Sequence, residues 1–175
     1  MDFVVRPGTI RDAPGIAAVH VQTWRTSYKG IVPDSFLDGL SIARRADQWR
    51  EALSQVGPPS FVWVAEATNS IVGFSWVGPA RDEDAEVQTA ELYAVYVLST
   101  SQRSGIGSTL VRRSVESLIQ ERFRQATLWV LARNVAAQKF YERLGWEPEG
   151  ATKTEVWQGT KFDEIRYRID LAHIE

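Results

Sequence analysis

The residues whose types and spacing most directly suggest chemistry lie between Leu92 and Ser108, in the run LYAVYVLSTSQRSGIGS. An apolar stretch passes through a short polar turn to Gly105-Ile106-Gly107, and an amphipathic helical pattern follows. The first amides of a helix have no partner inside it, and the helix dipole favours negative charge at that end. Glycines there remove the Cβ atoms that would hold a pyrophosphate away from the backbone. Such a run is a cradle for phosphate or a tight strand-to-helix connection. Two nucleotide readings fail on the residues themselves. No GK[ST] follows the glycines, so no lysine is placed to reach a γ-phosphate. A dinucleotide fingerprint fails because Leu110 stands where the third glycine of GxGxxG belongs.

Other chemistries are excluded by composition. The 175 residues include no cysteine, which removes disulfides, thiolate nucleophiles and Cys-based zinc sites. With His20 and His173 as the two histidines, a His-based metal site or a histidine-centred triad is not expected, and no metal is. A net charge of −2 gives no basic field for nucleic acid, so an anionic ligand must be held by local geometry. The N-terminus lacks a signal-peptide pattern, and no apolar run approaches the ~20 residues that span a bilayer. The expectation is a cytoplasmic protein without a membrane partner, formed by one domain over 1–175.

The elements that must position the glycine loop follow from periodicity. A short strand over Phe3–Arg6 is broken by Pro7-Gly8, and Asp12 is placed to cap a helix that accepts Pro14 in its first turn. Ile16, Val19, His20, Trp24 and Tyr28 fall on one face of that helix, which ends near Gly30. Pro33–Leu40 reads as a short helix or turn, and Ser41 can cap a second helix to about Ser54. Phe61–Ala67 and Ile71–Val77 flank a turn and predict an antiparallel hairpin. Gly78–Gln88, with Asp82-Glu83-Asp84, reads as a solvated loop. Glu91–Leu98 is the central strand, and the helix after the glycines carries a core stripe. Thr127–Leu131 is a further strand, a helix runs from Val135 to Leu144, and a terminal hairpin alternates apolar and charged residues. The order β-α-α-β-β-β-α-β-α-β-β predicts an α/β (α+β) domain, a mixed sheet flanked by helices.

The segment ATLWVLARNVAAQKFYERLGW places Asn134 after a strand, then Ala137, Tyr141 and Gly145-Trp146 at fixed intervals. Together with QRSGIG it resembles the GNAT superfamily of N-acetyltransferases. The opening RPGTIRDAPGIAAVHVQTWRTSYKGIVPDSFLDGL is similar to bacterial members of unassigned substrate. The resemblance covers nearly the whole chain. It implies the GNAT fold, with about seven mostly antiparallel strands, about four helices and a splayed central strand pair. It also implies acetyl-CoA as donor co-substrate and direct transfer to a primary amine, on a small molecule or a peptide. Two readings outside catalysis stand beside it, a non-catalytic acyl-CoA-binding regulatory domain of the same fold and a purely structural module.

Residue by residue, the resemblance puts the main chain of Val95, Tyr96 and Val97 along the cofactor, with a bulge splaying that strand from its neighbour. Gln102, Arg103, Ser104, Gly105, Ile106, Gly107 and Ser108 form the pyrophosphate loop, and Asn134 fixes the cofactor's arm or caps the next helix. Tyr141 matches the tyrosine that protonates the departing thiolate, and Glu91 is the best-placed general base. Trp24, Tyr28 and Tyr93 line the acceptor pocket or pack as core aromatics, while His20 reads as a core histidine. Two positions depart from the usual pattern: Ser99 replaces a common proline, and Ser104 a common glycine or basic residue. A homodimer through the C-terminal strands is one further implication. The chemistry is demanding, because an amine with pKa ~10.4 costs about 4.6 kcal/mol to deprotonate at pH 7.

Overall fold

The computed structural model describes residues 2–172, so His173 lies outside the described residues. Seven strands form one sheet: β1 (Val4–Pro7), β2 (Phe61–Ala67), β3 (Ser70–Pro79), β4 (Thr89–Val97), β5 (Gln125–Leu131), β6 (Glu147–Trp157) and β7 (Thr160–Asp170). Their spatial order is β1-β2-β3-β4-β5-β7-β6. Every pairing is antiparallel except β4 with β5, which is parallel. Five α-helices accompany them: α1 (Ala13–Ser27), α2 (Asp34–Asp38), α3 (Ile42–Gln55), α4 (Ile106–Gln120) and α5 (Val135–Glu142). This is the mixed, mostly antiparallel sheet flanked by helices that the sequence predicts.

Period-two alternation in β2 assigns its two faces. Val62 and Val64 pack with Phe74 against Ile16 and Val19 of α1 and Trp49 of α3. On the opposite face Ala65 and Val72 meet Ile106 and Leu110 of α4. Two polar contacts fix α4 there: Trp63 Nε1 donates to Ser117 Oγ at 3.1 Å, and the Ser75 and Ser114 hydroxyls lie 2.8 Å apart. α3 starts as its sequence predicts, with Ser41 Oγ accepting from the Arg44 amide at 3.3 Å. α1 does not. Asp12 holds the N-cap position, but its carboxylate accepts two 2.8 Å bonds from Arg6 of β1 and further bonds from Thr9. The carboxylate therefore ties β1 to the helix start, and Arg6 lowers its pKa to about 2.

Two irregularities open the middle of the sheet. In the β3–β4 ladder Trp76 faces Ala94 and Val77 faces Leu92, so Tyr93 bulges out unpaired. The bulge lies on the strand to which the resemblance assigns one, two residues before the Val95–Val97 stretch. Between β4 and β5 the register covers three pairs, Thr89–Gln125, Ala90–Ala126 and Glu91–Thr127. Beyond Glu91 the two strands diverge, and the edge of β4 that faces β5 is left without a ladder.

Candidate active site

The divergence opens a cleft of about 1140 Å³. One wall is β4 from Glu91 to Val97, and the other is β5 with α5, including Asn134, Phe140 and Tyr141. The glycine loop closes one end. At the other lie Trp24 of α1 and its C-cap Tyr28 with Trp157 of β6 and Phe162 and Glu164 of β7.

The two glycines of the loop have different physical tasks. Gly105 is the N-cap of α4 at φ +86°, and a Cβ there would meet nothing within 4 Å. Its requirement is the left-handed backbone. Gly107 is helical, and a Cβ there would come 3.2 Å from Phe140 Cζ, so its requirement is the close approach of α5. Arg103 is also left-handed, at φ 59°. Left-handed residues alternating with others in a loop turn successive amides toward a common concavity. Among the described residues, no backbone N–H from Arg103 to Ser108 donates to a protein acceptor. The first such bond is Thr109 N to Gly105 O at 3.0 Å. Six consecutive amides thus stand ready for a ligand at a helix N-terminus that has no side-chain cap.

Side chains of the loop are partly engaged elsewhere. Ser104 Oγ donates to Ser101 O at 2.6 Å, and Gln102 Nε2 donates to Val97 O at 3.2 Å. Ile106 is fully buried in the core. Ile106 and Ser104 can therefore serve a ligand through their amides. Gln102, Arg103, Gly105, Gly107 and Ser108 line the cleft directly. Asn134 is the N-cap of α5, its Oδ1 accepting from the Ala137 amide at 3.2 Å. That leaves its Nδ2 hydrogens for the cleft.

Tyr141 is 9% exposed, and its hydroxyl has no hydrogen-bond partner among the described residues. Burial pushes its pKa above that of an ordinary tyrosine, and the Tyr96 hydroxyl adds to this. Tyr28 and Tyr96 are likewise raised by burial. Glu91 is 3% exposed. Arg81 holds it with three bonds, from the backbone amide and Nε to Oε2 at 3.1 Å each and from Nη2 to Oε1 at 2.5 Å. Oε1 keeps one lone pair for another donor. Tyr93 lines the cleft, its hydroxyl donating to Pro79 O at 2.5 Å beneath the Arg81 guanidinium, 4.1 Å from the ring centroid.

The structure brings every candidate catalytic, cofactor and acceptor residue to this cleft or its loop, and it adds others. Arg81, Trp157 and Glu164 carried no sequence signal, because their place depends on sheet register. Burial holds the Glu164 carboxyl above the ordinary range, with Lys153, 3.6 Å away, opposing the shift. The acidic loop is also more than a solvated run. Asp82 and Asp84 accept from Arg166 of β7, which also binds Glu149, and Asp82 accepts from Trp129 Nε1 at 3.0 Å. This clamp fixes the 80–88 segment against the β5 side of the cleft. Among the described residues no group of His, Asp and Glu could hold a metal, and no helix is long and apolar enough to cross a membrane.

A parallel strand pair that splays beside an uncapped helix N-terminus puts an open strand edge and a phosphate-binding end in one cleft, the arrangement that the resemblance to the GNAT superfamily implies. Comparison with known proteins agrees. Residues 22–146 match the Acetyltransferase (GNAT) family, and the chain belongs to that family of acyltransferase enzymes. It is 37% identical over 162 residues to the uncharacterized N-acetyltransferase YuaI of Bacillus subtilis, covering 92% of this chain and 89% of that protein. It is 28% identical to the probable N-acetyltransferase Rv2775 of Mycobacterium tuberculosis, over 94% of this chain and 96% of the relative. YncA from Salmonella typhimurium, solved with its cofactor acetyl-CoA, has the same fold (TM-score 0.73, 20% identical, 100% of this chain and 97% of that one).

Proposed function

We propose that this cleft binds acetyl-CoA and a primary amine together and transfers the acetyl group directly between them. The observation that carries this reading is the row of six unpartnered amides, 103 to 108, at the end of a strand whose facing edge is also unpaired. The amides and the α4 dipole hold the pyrophosphate, with Arg103 as the nearest cation. The open edge of β4 from Val95 to Val97 hydrogen-bonds the extended arm, and Asn134 Nδ2 donates to it from across the cleft. Bound there, acetyl-CoA supplies the acetyl group as a thioester that the amine attacks.

The chain's own groups handle the protons. Glu91 accepts the amine proton at the free lone pair of Oε1, directly or through water. Glu164 adds negative charge on the opposite wall. Trp24, Tyr28 and Tyr93 shape the acceptor end. As the C–S bond breaks, the Tyr141 hydroxyl donates to the departing sulfur. An ordinary tyrosine at ~10 already holds its proton more tightly than a thiol at ~8.5, and burial widens the gap. Tyr141 therefore acts mainly by hydrogen-bonding the sulfur through the transition state, and the proton it passes late is replaced from solvent as the thiol departs. Nothing in the site favours the non-catalytic reading, since both proton-handling groups face the cleft. Tyr141→Phe is expected to lower kcat by roughly 10²–10⁴-fold, the usual worth of general acid catalysis, with acetyl-CoA affinity retained. Unchanged thiol release across an amine panel removes Tyr141 from the mechanism.

A further inference from the structure

A second cavity of about 430 Å³ opens from the acceptor end of the cleft, between α1, α3 and the bulged β3–β4 pair. It shares Trp24, Arg81, Tyr93, Ala94, Tyr96 and Trp157 with the main cleft, so the two spaces adjoin. Its walls are aromatic, and its donors outnumber its side-chain acceptors, which are the Gln48 amide oxygen, His20 Nδ1 and the Tyr93 and Tyr96 hydroxyls. Arg45 of α3 is half-buried, with its guanidinium 5.3 Å from the Trp157 ring centroid. Among the described residues it has no ion pair and no side-chain hydrogen bond. Trp76 Nε1 is buried without an acceptor. His20 Nδ1 accepts from Trp49 Nε1 at 3.3 Å, so the neutral ring carries its proton on Nε2. Burial, helped by the charge of Arg45, keeps that ring neutral, with its pKa lowered to about 3. The other guanidinium, Arg81, is already matched by Glu91. Among the described residues, no carboxylate lines this cavity.

A half-buried guanidinium without a counter-charge, facing an aromatic space that no carboxylate lines, is matched by an anion. We propose that the acetyl acceptor carries a carboxylate, and that Arg45 is the specificity-determining residue that binds it. The acceptor class is an amino acid or a similar small amino carboxylate, its body against the aromatic walls and its amine reaching toward Glu91. This rests on the reading of the main cleft as the place of acetyl transfer. Guanidinium matches carboxylate geometry with two parallel bonds, whereas an ammonium acts as a point charge. Lysine at position 45 should therefore keep only part of the preference.

The test compares 3-phenylpropionate with its neutral amide, 3-phenylpropanamide, by quenching of tryptophan fluorescence, since Trp24, Trp49, Trp76 and Trp157 line the cavity. In parallel, acetylation of L-phenylalanine is compared with that of phenethylamine. The wild-type protein should bind the carboxylate at least 10-fold more tightly than the amide, within the roughly 10- to 100-fold range of a charge-assisted pair. Arg45→Gln should abolish that gap and Arg45→Lys should restore part of it. Because Arg45 has no ionic partner to orphan, the Gln variant should melt as the wild type does. Equal binding of both probes, no binding of either at 10 mM, or a gap that survives Arg45→Gln overturns the proposal. Acetyl-CoA affinity on the same samples separates the two readings. A carboxylate preference without acetyl-CoA binding removes the transferase reading and leaves an anion site; the converse removes the anion site alone.

Discussion

The division of labour between Gly105 and Gly107 yields a crossed prediction. Gly105 needs a positive φ and has open space at its Cβ; Gly107 has an ordinary helical backbone and Phe140 at 3.2 Å. At position 105, alanine should cost about 1–2 kcal/mol, the penalty of a left-handed L-residue. For a chain of this length that is a Tm lower by roughly 2–8 °C. Asparagine tolerates the left-handed region, so Gly105→Asn should recover much of the loss despite being larger. At position 107 the order reverses. Alanine asks the Phe140 ring to move by a few tenths of an ångström, and asparagine asks for more, so Gly107→Asn should be the worse variant. CoA affinity, measured by titration calorimetry, should follow the same crossing. A relaxed φ at 105 rotates amides of the 103–108 row away from the phosphate, and each charge-assisted bond lost there costs about 1.5–3 kcal/mol. If asparagine at 105 melts no higher than alanine, or if both positions rank their substituents alike, the conformational account of Gly105 is wrong.

Two further outcomes concern the frame. The Asp12 pKa is depressed from 3.8 to about 2 by Arg6, so its contribution to stability is full above about pH 4 and lost as pH falls toward 2. The difference amounts to about 2 kcal/mol at ~1.36 per pH unit. Urea denaturation at pH 5 and pH 2.5 should show that loss in the wild type and a smaller one in Asp12→Asn; equal losses would discount the Arg6 pair. Arg166→Ala leaves Asp82, Asp84 and Glu149 without their shared partner. A loss of about 3 kcal/mol is expected, near the lower end for broken buried pairs because Asp84 is exposed. Limited proteolysis should then cut within 80–88, and a loop that stays resistant would refute the clamp.

Much of this architecture is legible in the sequence because its signals are local. The 61–77 hairpin, the Ser41 cap and the strand–glycine–helix run each depend on residues within a few positions of one another. The roles of Asp12 and of the acidic loop escape a sequence reading for the opposite reason. Asp12 looks like a helix cap until β1 brings Arg6 to it, and Asp82 looks solvated until sheet register brings Arg166 across 84 positions. Arg45 carries no signal at all. On an amphipathic helix its charge reads as one more polar residue, and only the fold shows that the helix turns it toward an aromatic cavity. The backbone part of the site follows from glycine positions and strand pattern, whereas its side-chain part depends on which distant residues the register places together.

The three-pair junction between β4 and β5 means that the sheet is continuous only at its root. Past Glu91 one half-sheet, β1 to β4, and another, β5 to β7 with β6, part like the tines of a fork. On the proposed function the hydrogen bonds missing there are not a defect of folding, because the open edge receives the donor and the glycine loop at its far end receives the phosphates. A donor laid along β4 in that way would act as the missing length of strand, splinting the two tines for as long as it stays. Product release then removes a structural member together with a ligand.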